Sequence, residues 1–253
     1  MLKAFVCTSL GLRRCVANAF FREIFFMKKR YFTNPEIAIW ASSVALIVTA
    51  FLIFDRGSFL SLAASLVGVT SLIFCAKGNP VGQVLIIIFS LLYGAISYSF
   101  EYYGEMITYL GMSMPMAALA LVSWLKNPYK GNAAEVKVNV ISVKETVLML
   151  LMSVPVTVLF YFILDNFGTA NLIPSTVSVT TSFLAVYLTF RRSPCYALAY
   201  AANDVVLIVL WIMASLEDVK YVSVVACFIA FLVNDIYGYV SWCRMKKRQL
   251  AEK

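Results

Sequence analysis

Eight stretches of this 253-residue chain are apolar over 18 to 22 residues each, and little else in the sequence leaves a soluble fold open. They run at about 37–54, 58–76, 81–100, 106–125, 146–164, 172–190, 196–216 and 222–243. A helix rising about 1.5 Å per residue crosses a hydrocarbon core of roughly 30 Å in about 20 residues, so each stretch is long enough to span a membrane. The whole chain is 62% hydrophobic and only 13% charged, against about 25% charged in soluble domains. The expected fold class is therefore an all-α polytopic membrane protein with about eight transmembrane helices.

Turn-forming clusters separate the stretches: Asp55-Arg56-Gly57, Lys77-Gly78-Asn79-Pro80, Tyr103-Gly104-Glu105, a polar loop over 126–145, Asp165-Asn166, Arg191-Arg192-Ser193-Pro194 and Glu217-Asp218. With eight crossings, 19 of the 21 Lys and Arg residues fall on one side, and only Arg56 and Lys220 on the other. Basic loops stay on the cytoplasmic face, which puts both termini and the 126–145 loop there. The formal charge of +8 is thus read as orientation and attraction to the inner leaflet, and no nucleic-acid partner is expected. The basic leader over 1–35 has no clean apolar run or small-residue cleavage site, so it is a poor signal peptide. It reads either as an amphipathic interfacial helix or as sequence upstream of a true start at Met27, since MKKRYF is an ordinary opening for a first span.

Two Asn-Asp pairs sit inside otherwise apolar spans, Asn203-Asp204 in the seventh and Asn234-Asp235 in the eighth. Ionisable groups at membrane depth face a bundle interior or a wet cavity, so both pairs are candidate site residues. In an antiparallel hairpin Asp204 would lie roughly 12 Å and Asp235 roughly 10 Å above the inner end, forming one polar layer. Trp211, seven residues after Asp204, shares its face; Asn234, Tyr237 and Ser241 share another stripe. The competing reading is interhelical glue, each hydrogen bond worth only about 0.6 kcal/mol. Two coincident layers flanked by aromatics favour a solute pathway, and amide, carboxylate, phenol and indole suit a neutral or cationic ring-bearing solute.

An internal repeat organises the spans. Val122-Ser123-Trp124 followed by Lys126 recurs as Val240-Ser241-Trp242 followed by Arg244, an offset of 118, and the joint Lys77–Pro80 recurs as Arg191–Pro194, an offset of 114. Spans two to four then repeat as six to eight, with the fifth restoring orientation, in a 3+1+3 parallel repeat preceded by one extra helix. The expected divisions are a leader over 1–35, an extra helix over 36–56, a first three-helix bundle over 57–126, a cytoplasmic loop and linker helix over 127–170, a second bundle over 171–244 and a basic tail over 245–253. A solute site is expected between the two bundles near the midplane. The first copy offers Ser90, Tyr93, Ser97 and Glu101 at helical spacing, and Ser113 to Met116, with no Asn-Asp counterpart. Pro115 and Pro155 are expected to kink their helices. Tyr98, Tyr102, Tyr103 and Tyr109 read as an interfacial belt, and Glu101 either as solvated or as an attractor of cations at the entrance.

The absence of histidine excludes His-based triads and HExxH zinc sites. Cysteines at 7, 15, 75, 195, 227 and 243 have no paired spacing, so no disulfide framework, metal site or cofactor is expected. A membrane enzyme acting on lipid would need an acidic metal cluster that two aspartates do not supply. An ion-coupled symporter using Asp204 or Asp235 and a purely structural subunit remain as alternatives.

The repeat, the loop after SWLKNPYKGN, and the run from NDVVLIVLW to FLVNDIYGYVSWCRMKKRQ resemble the PnuC-type vitamin transporters over about residues 36–248, most strongly over 193–248. The resemblance implies a SWEET-like fold, a homotrimer, and facilitated diffusion of nicotinamide riboside trapped by a cytoplasmic kinase. It implies solute contacts at Asn203, Asp204, Trp211, Asn234 and Tyr237, and further contacts at Gln83, Ser90 and Tyr93. Thiamine, riboflavin or a deoxynucleoside are alternative cargoes within the same family. A cationic pyridinium suits an aromatic face and a carboxylate, while ribose hydroxyls and a carboxamide match Asn side chains.

Overall fold

A computed structural model of the chain describes residues 31–99, 103–169 and 171–252. The leader up to residue 30, Glu101 and Tyr102 lie outside the described residues, as does the question of where translation starts. Among the described residues, eight helices are long and apolar enough to cross a membrane. In chain order they are α1 (Asn34–Phe54), α2 (Phe59–Ala76), α3 (Val81–Ser99), a fourth span built from α4 (Tyr103–Ile107) and α5 (Met114–Leu125), then α6 (Val143–Asn166), α7 (Leu172–Phe190), α8 (Cys195–Ser215) and α9 (Val222–Ala251). Their outward faces are apolar and bare, as at Leu151, Phe162 and Ile173, which suits contact with lipid.

The fourth span is not a plain helix. A π-helical turn over Thr108–Ser113 joins α4 to α5. Pro115 has no N–H to give the carbonyl four residues back, and the widened turn accommodates that gap. The kink expected at Pro115 is therefore met by a π turn just ahead of it, whereas α6 continues through Pro155.

Both joints inferred from the repeat close in the same way. After α2, Asn79 N–H donates to Phe74 O at 3.0 Å; after α7, Ser193 N–H donates to Leu188 O at 3.0 Å. Each closure needs one left-handed residue, Gly78 at φ +67° and Arg192 at φ +58°. Glycine takes that conformation freely, while an arginine there costs roughly 1–2 kcal/mol.

The polar loop contains a small hairpin that its composition did not announce, β1 (Pro128–Tyr129) against β2 (Asn132–Val136). The loop lies across both joints: Val136 N–H donates to Gly78 O and Asn139 N–H to Arg192 O, each at 3.0 Å. The last helix runs past the apolar stretch to Ala251, and its extension holds the same loop. Gln249 Oε1 accepts from Val138 N–H at 2.8 Å, and its Nε2 donates to Val136 O at 3.0 Å and Glu135 Oε1 at 2.8 Å. Arg248 pairs with Glu135, Lys130 with Glu252, and Arg191 with Glu145.

α2 packs on α3 and on α9; α7 packs on α8 and on the fourth span; α3 packs on the fourth span as α8 packs on α9. The core near the hairpin end gathers Cys75, Trp124, Val136, Tyr196 and Trp242, and a second cluster toward the other end gathers Val69, Leu207, Trp211, Phe228 and Phe231. Among the described residues the four cysteines are free.

Candidate functional site

Between these clusters lies a cavity of about 120 Å³ walled by α2, α3, the fourth span, α7, α8 and α9. α8 brings Asn203 and Asp204 to it, and α9 brings Asp235. Phe228, Phe231, Asp235, Gly238 and Trp242 recur at steps of three or four residues, so one stripe of α9 carries aromatics and the carboxylate to the interior. All five are buried.

The polar layer takes a definite form. Asn203 Oδ1 accepts from Thr181 Oγ1 at 2.8 Å and Ser178 Oγ at 3.2 Å, both on α7. With its oxygen committed, what Asn203 offers a solute is the Nδ2 donor. Asp204 and Asp235 reach the cavity from the neighbouring helices α8 and α9, so two carboxyl groups share one buried layer. Two ionised carboxylates in one buried layer repel each other, and a cation placed between them would relieve that repulsion. Asp204 Oδ2 is buried without a partner, and so is Ser90 Oγ across the cavity. Unpaired polar atoms at a cavity wall are groups that a solute can satisfy.

Gln83 lines the cavity with its Nε2 3.4 Å from Cys75 Sγ. Tyr109 also lines it, and the expectation that this residue belongs to an interfacial belt is corrected: the π turn of the fourth span carries it inward, edge-on to Phe89 at 5.8 Å. Glu105 stood in the sequence as punctuation between spans. It is instead a wall residue on the first turn of α4, in line with Thr108 and Tyr109. The signal available for it was that run of Glu105, Thr108 and Tyr109 at helical spacing.

Four of the expected contacts do not line this cavity. Asn234 turns to α1, where its Nδ2 donates to Ser43 Oγ, and it also donates to Ala230 O of its own helix, both at 2.8 Å. Tyr237 is half-buried on α9, away from the lining residues. Trp211 and Tyr93 line a second, smaller cavity nearer the end of the bundle opposite the hairpin. The structure thus brings together Gln83, Ser90, Asn203 and Asp204, adds Asp235 and Glu105, and separates Asn234, Tyr237, Trp211 and Tyr93 from them. Among the described residues, three carboxylates and no Lys or Arg line the central cavity.

Residues 58–244 match the family described as nicotinamide mononucleotide transporter. The chain belongs to that family. It is a family of membrane transporters, not of enzymes. Similar relatives are the nicotinamide riboside transporter PnuC of Neisseria mucosa, 27% identical over 220 residues covering 85% of this chain and 83% of that one, and that of Haemophilus influenzae, 21% identical over 192 residues covering 76% and 82%. A crystal structure of the vitamin B3 transporter PnuC superposes with a TM-score of 0.77 at 24% identity, covering 91% of this chain and 98% of the other. The polytopic helical fold is therefore that of a PnuC-type transporter.

Proposed function

We propose that the chain carries nicotinamide riboside across the cell membrane by facilitated diffusion, with alternating access to the central cavity and trapping by phosphorylation inside the cell. The observation that carries this reading is the wall of Asp204, Asp235 and Glu105 beside Tyr109, Phe89 and Phe231, with no basic residue among the described residues that line it. A pyridinium ring is attracted both by the acids and by the aromatic faces. The ribose hydroxyls and carboxamide match Asn203 and Ser90.

The same wall favours the riboside over the mononucleotide. A phosphate adds about −1.5 to −2 charges at pH 7, and it would meet three carboxylates and no cation. A phosphorylated product would be repelled from the cavity that admitted its precursor, which makes uptake one-way without an ion gradient. Thiamine is the alternative cargo that keeps a cationic ring; neutral riboflavin uses less of this wall.

The matched joints and helix contacts support reading spans two to four and six to eight as a 3+1+3 parallel repeat around the cavity. Asn203, Asp204, Asp235, Gln83 and Ser90 are the proposed central contacts, and Asn234 holds α9 against α1 through Ser43. Placement of both termini and the hairpin loop in the cytoplasm rests on the basic-residue bias of the loops. The homotrimer and the partner kinase rest on the family resemblance.

A second reading, proton-coupled symport, is favoured by the burial of Asp204 and Asp235 in one cavity wall, where a proton on either would relieve their mutual repulsion when no cation is bound. Uptake of labelled nicotinamide riboside into proteoliposomes separates the two. Facilitated diffusion gives equilibration that an uncoupler leaves unchanged; accumulation above the outside concentration that collapses with the uncoupler would establish symport.

A further inference from the structure

The second cavity, of about 50 Å³, is lined by Asp55, Ser58, Ser97 and Trp211 among others, where α1 meets α2 and α3 and α8 end. It shares Phe89, Glu105, Phe228 and Phe231 with the central cavity, so an aromatic partition stands between them. Phe89 and Phe231 meet edge-on at 5.9 Å, and Phe228 meets Phe231 at 5.7 Å. Gly68 leaves room for that partition: a Cβ there would fall 2.5 Å from Phe231 Cζ and 3.2 Å from Phe89.

Two polar atoms of this cavity are buried with no partner, Trp211 Nε1 and Ser97 Oγ. Their residues are 5% and 1% exposed. An indole N–H can only donate, so the missing partner of Trp211 is a hydrogen-bond acceptor; the serine hydroxyl can donate or accept. Tyr221 packs against the Trp211 ring at 5.3 Å, and Tyr93 adds a further aromatic face. Glu105 serves both cavities; the second also holds Asp55 and Lys220, whose charge is paired with Asp218 at 2.8 Å, so two carboxylates remain there to attract a cation. Trp211 lies seven residues beyond Asp204 on α8, about 10 Å along the helix axis.

We infer that this cavity is an outer subsite, in which a cationic, ring-bearing solute with hydrogen-bond acceptors rests against Trp211 and Ser97 before the Phe89–Phe231 partition admits it to the central cavity. The inference rests on the proposed cargo, and it gives Trp211 a solute contact in a different chamber from Asn203 and Asp204.

The test uses the full chain with Trp211→Phe, which keeps a ring and removes the donor, and Ser97→Ala, which removes one hydroxyl. Initial uptake of nicotinamide riboside by cells producing each variant is compared with equilibrium binding to the purified protein. Each variant is expected to raise the half-saturation concentration for uptake about fivefold, the worth of one net hydrogen bond, while the equilibrium Kd stays within about twofold of wild type. An unchanged half-saturation, whether or not the maximal rate falls, would make the cavity a packing feature and overturn the subsite. A Kd that rises in step would place Trp211 at the central site and also overturn it. Wild-type protein that neither takes up nor binds the riboside would overturn the proposed cargo itself, a result distinct from either variant's behaviour.

Discussion

Trp124 and Trp242 lie side by side at the hairpin end of the bundle, ring centroids 5.4 Å apart, and each donates to the helix end of the other half of the chain. Trp124 Nε1 reaches Thr189 O at 2.9 Å, and Trp242 Nε1 reaches Cys75 O at 2.8 Å. The donors are 118 residues apart and the acceptors 114, the two offsets already present in the sequence motifs. Both indoles are buried, so each carbonyl has exchanged water for an indole N–H.

Replacing either tryptophan by phenylalanine keeps an aromatic ring and leaves a buried carbonyl short of its donor. Each of Trp124→Phe and Trp242→Phe is expected to cost about 1–2 kcal/mol, read as a drop of several degrees in the melting temperature of the purified protein. Equal losses at the two positions are the expected result, because the two contacts are built alike.

Asn203 and Asn234 looked equivalent in sequence, and the structure separates them. Asn203→Ala is expected to weaken cargo binding roughly tenfold, about 1.4 kcal/mol, with little effect on melting. Asn234→Ala should do the reverse, lowering the melting temperature through loss of the Ser43 contact while Kd stays within about twofold. Calorimetry and a thermal melt on the same two samples decide it.

That contrast shows what was legible beforehand. Apolar run length read out the eight spans, because a bilayer fixes helix length, and the twin VSW and proline joints pointed to the residues that now make matched contacts. The polar layer was visible because Asn-Asp pairs are rare inside hydrocarbon. Which of the four residues reach the cavity was not, since adjacent residues on a helix point about 100° apart and only the neighbours decide. Asp235 follows the Phe228–Phe231 stripe inward while Asn234 meets Ser43. Glu105 was hidden by its place in a turn-forming cluster between spans, and Tyr109 by the π turn that carries it inward.

Gly82 marks the closest approach of α2 and α3. A Cβ added there would stand 2.5 Å from Cys75 Sγ, 2.8 Å from Cys75 N and 2.9 Å from Ser71 O, two of them backbone atoms that cannot swing away. Gly82→Ala is expected to destabilise by about 1–3 kcal/mol and to lower the yield of folded protein on size-exclusion chromatography.

Gln249 holds the loop that crosses both joints. Gln249→Ala removes three hydrogen bonds from Glu135, Val136 and Val138, so amide exchange over residues 128–140 is expected to accelerate by roughly tenfold or more. The spans should keep their protection, which hydrogen exchange with peptide-level readout reports in the same run.

The central claim is that an acid-lined, base-free cavity selects an unphosphorylated cationic nucleoside. Calorimetric titration of the purified protein with nicotinamide riboside and with the mononucleotide, repeated on Asp204→Asn, tests it most directly. The account predicts that wild type binds the riboside at least about tenfold more tightly than the mononucleotide, and that Asp204→Asn loses most of that preference. Equal or tighter binding of the mononucleotide, or an Asp204→Asn variant with wild-type affinity and selectivity, would contradict it.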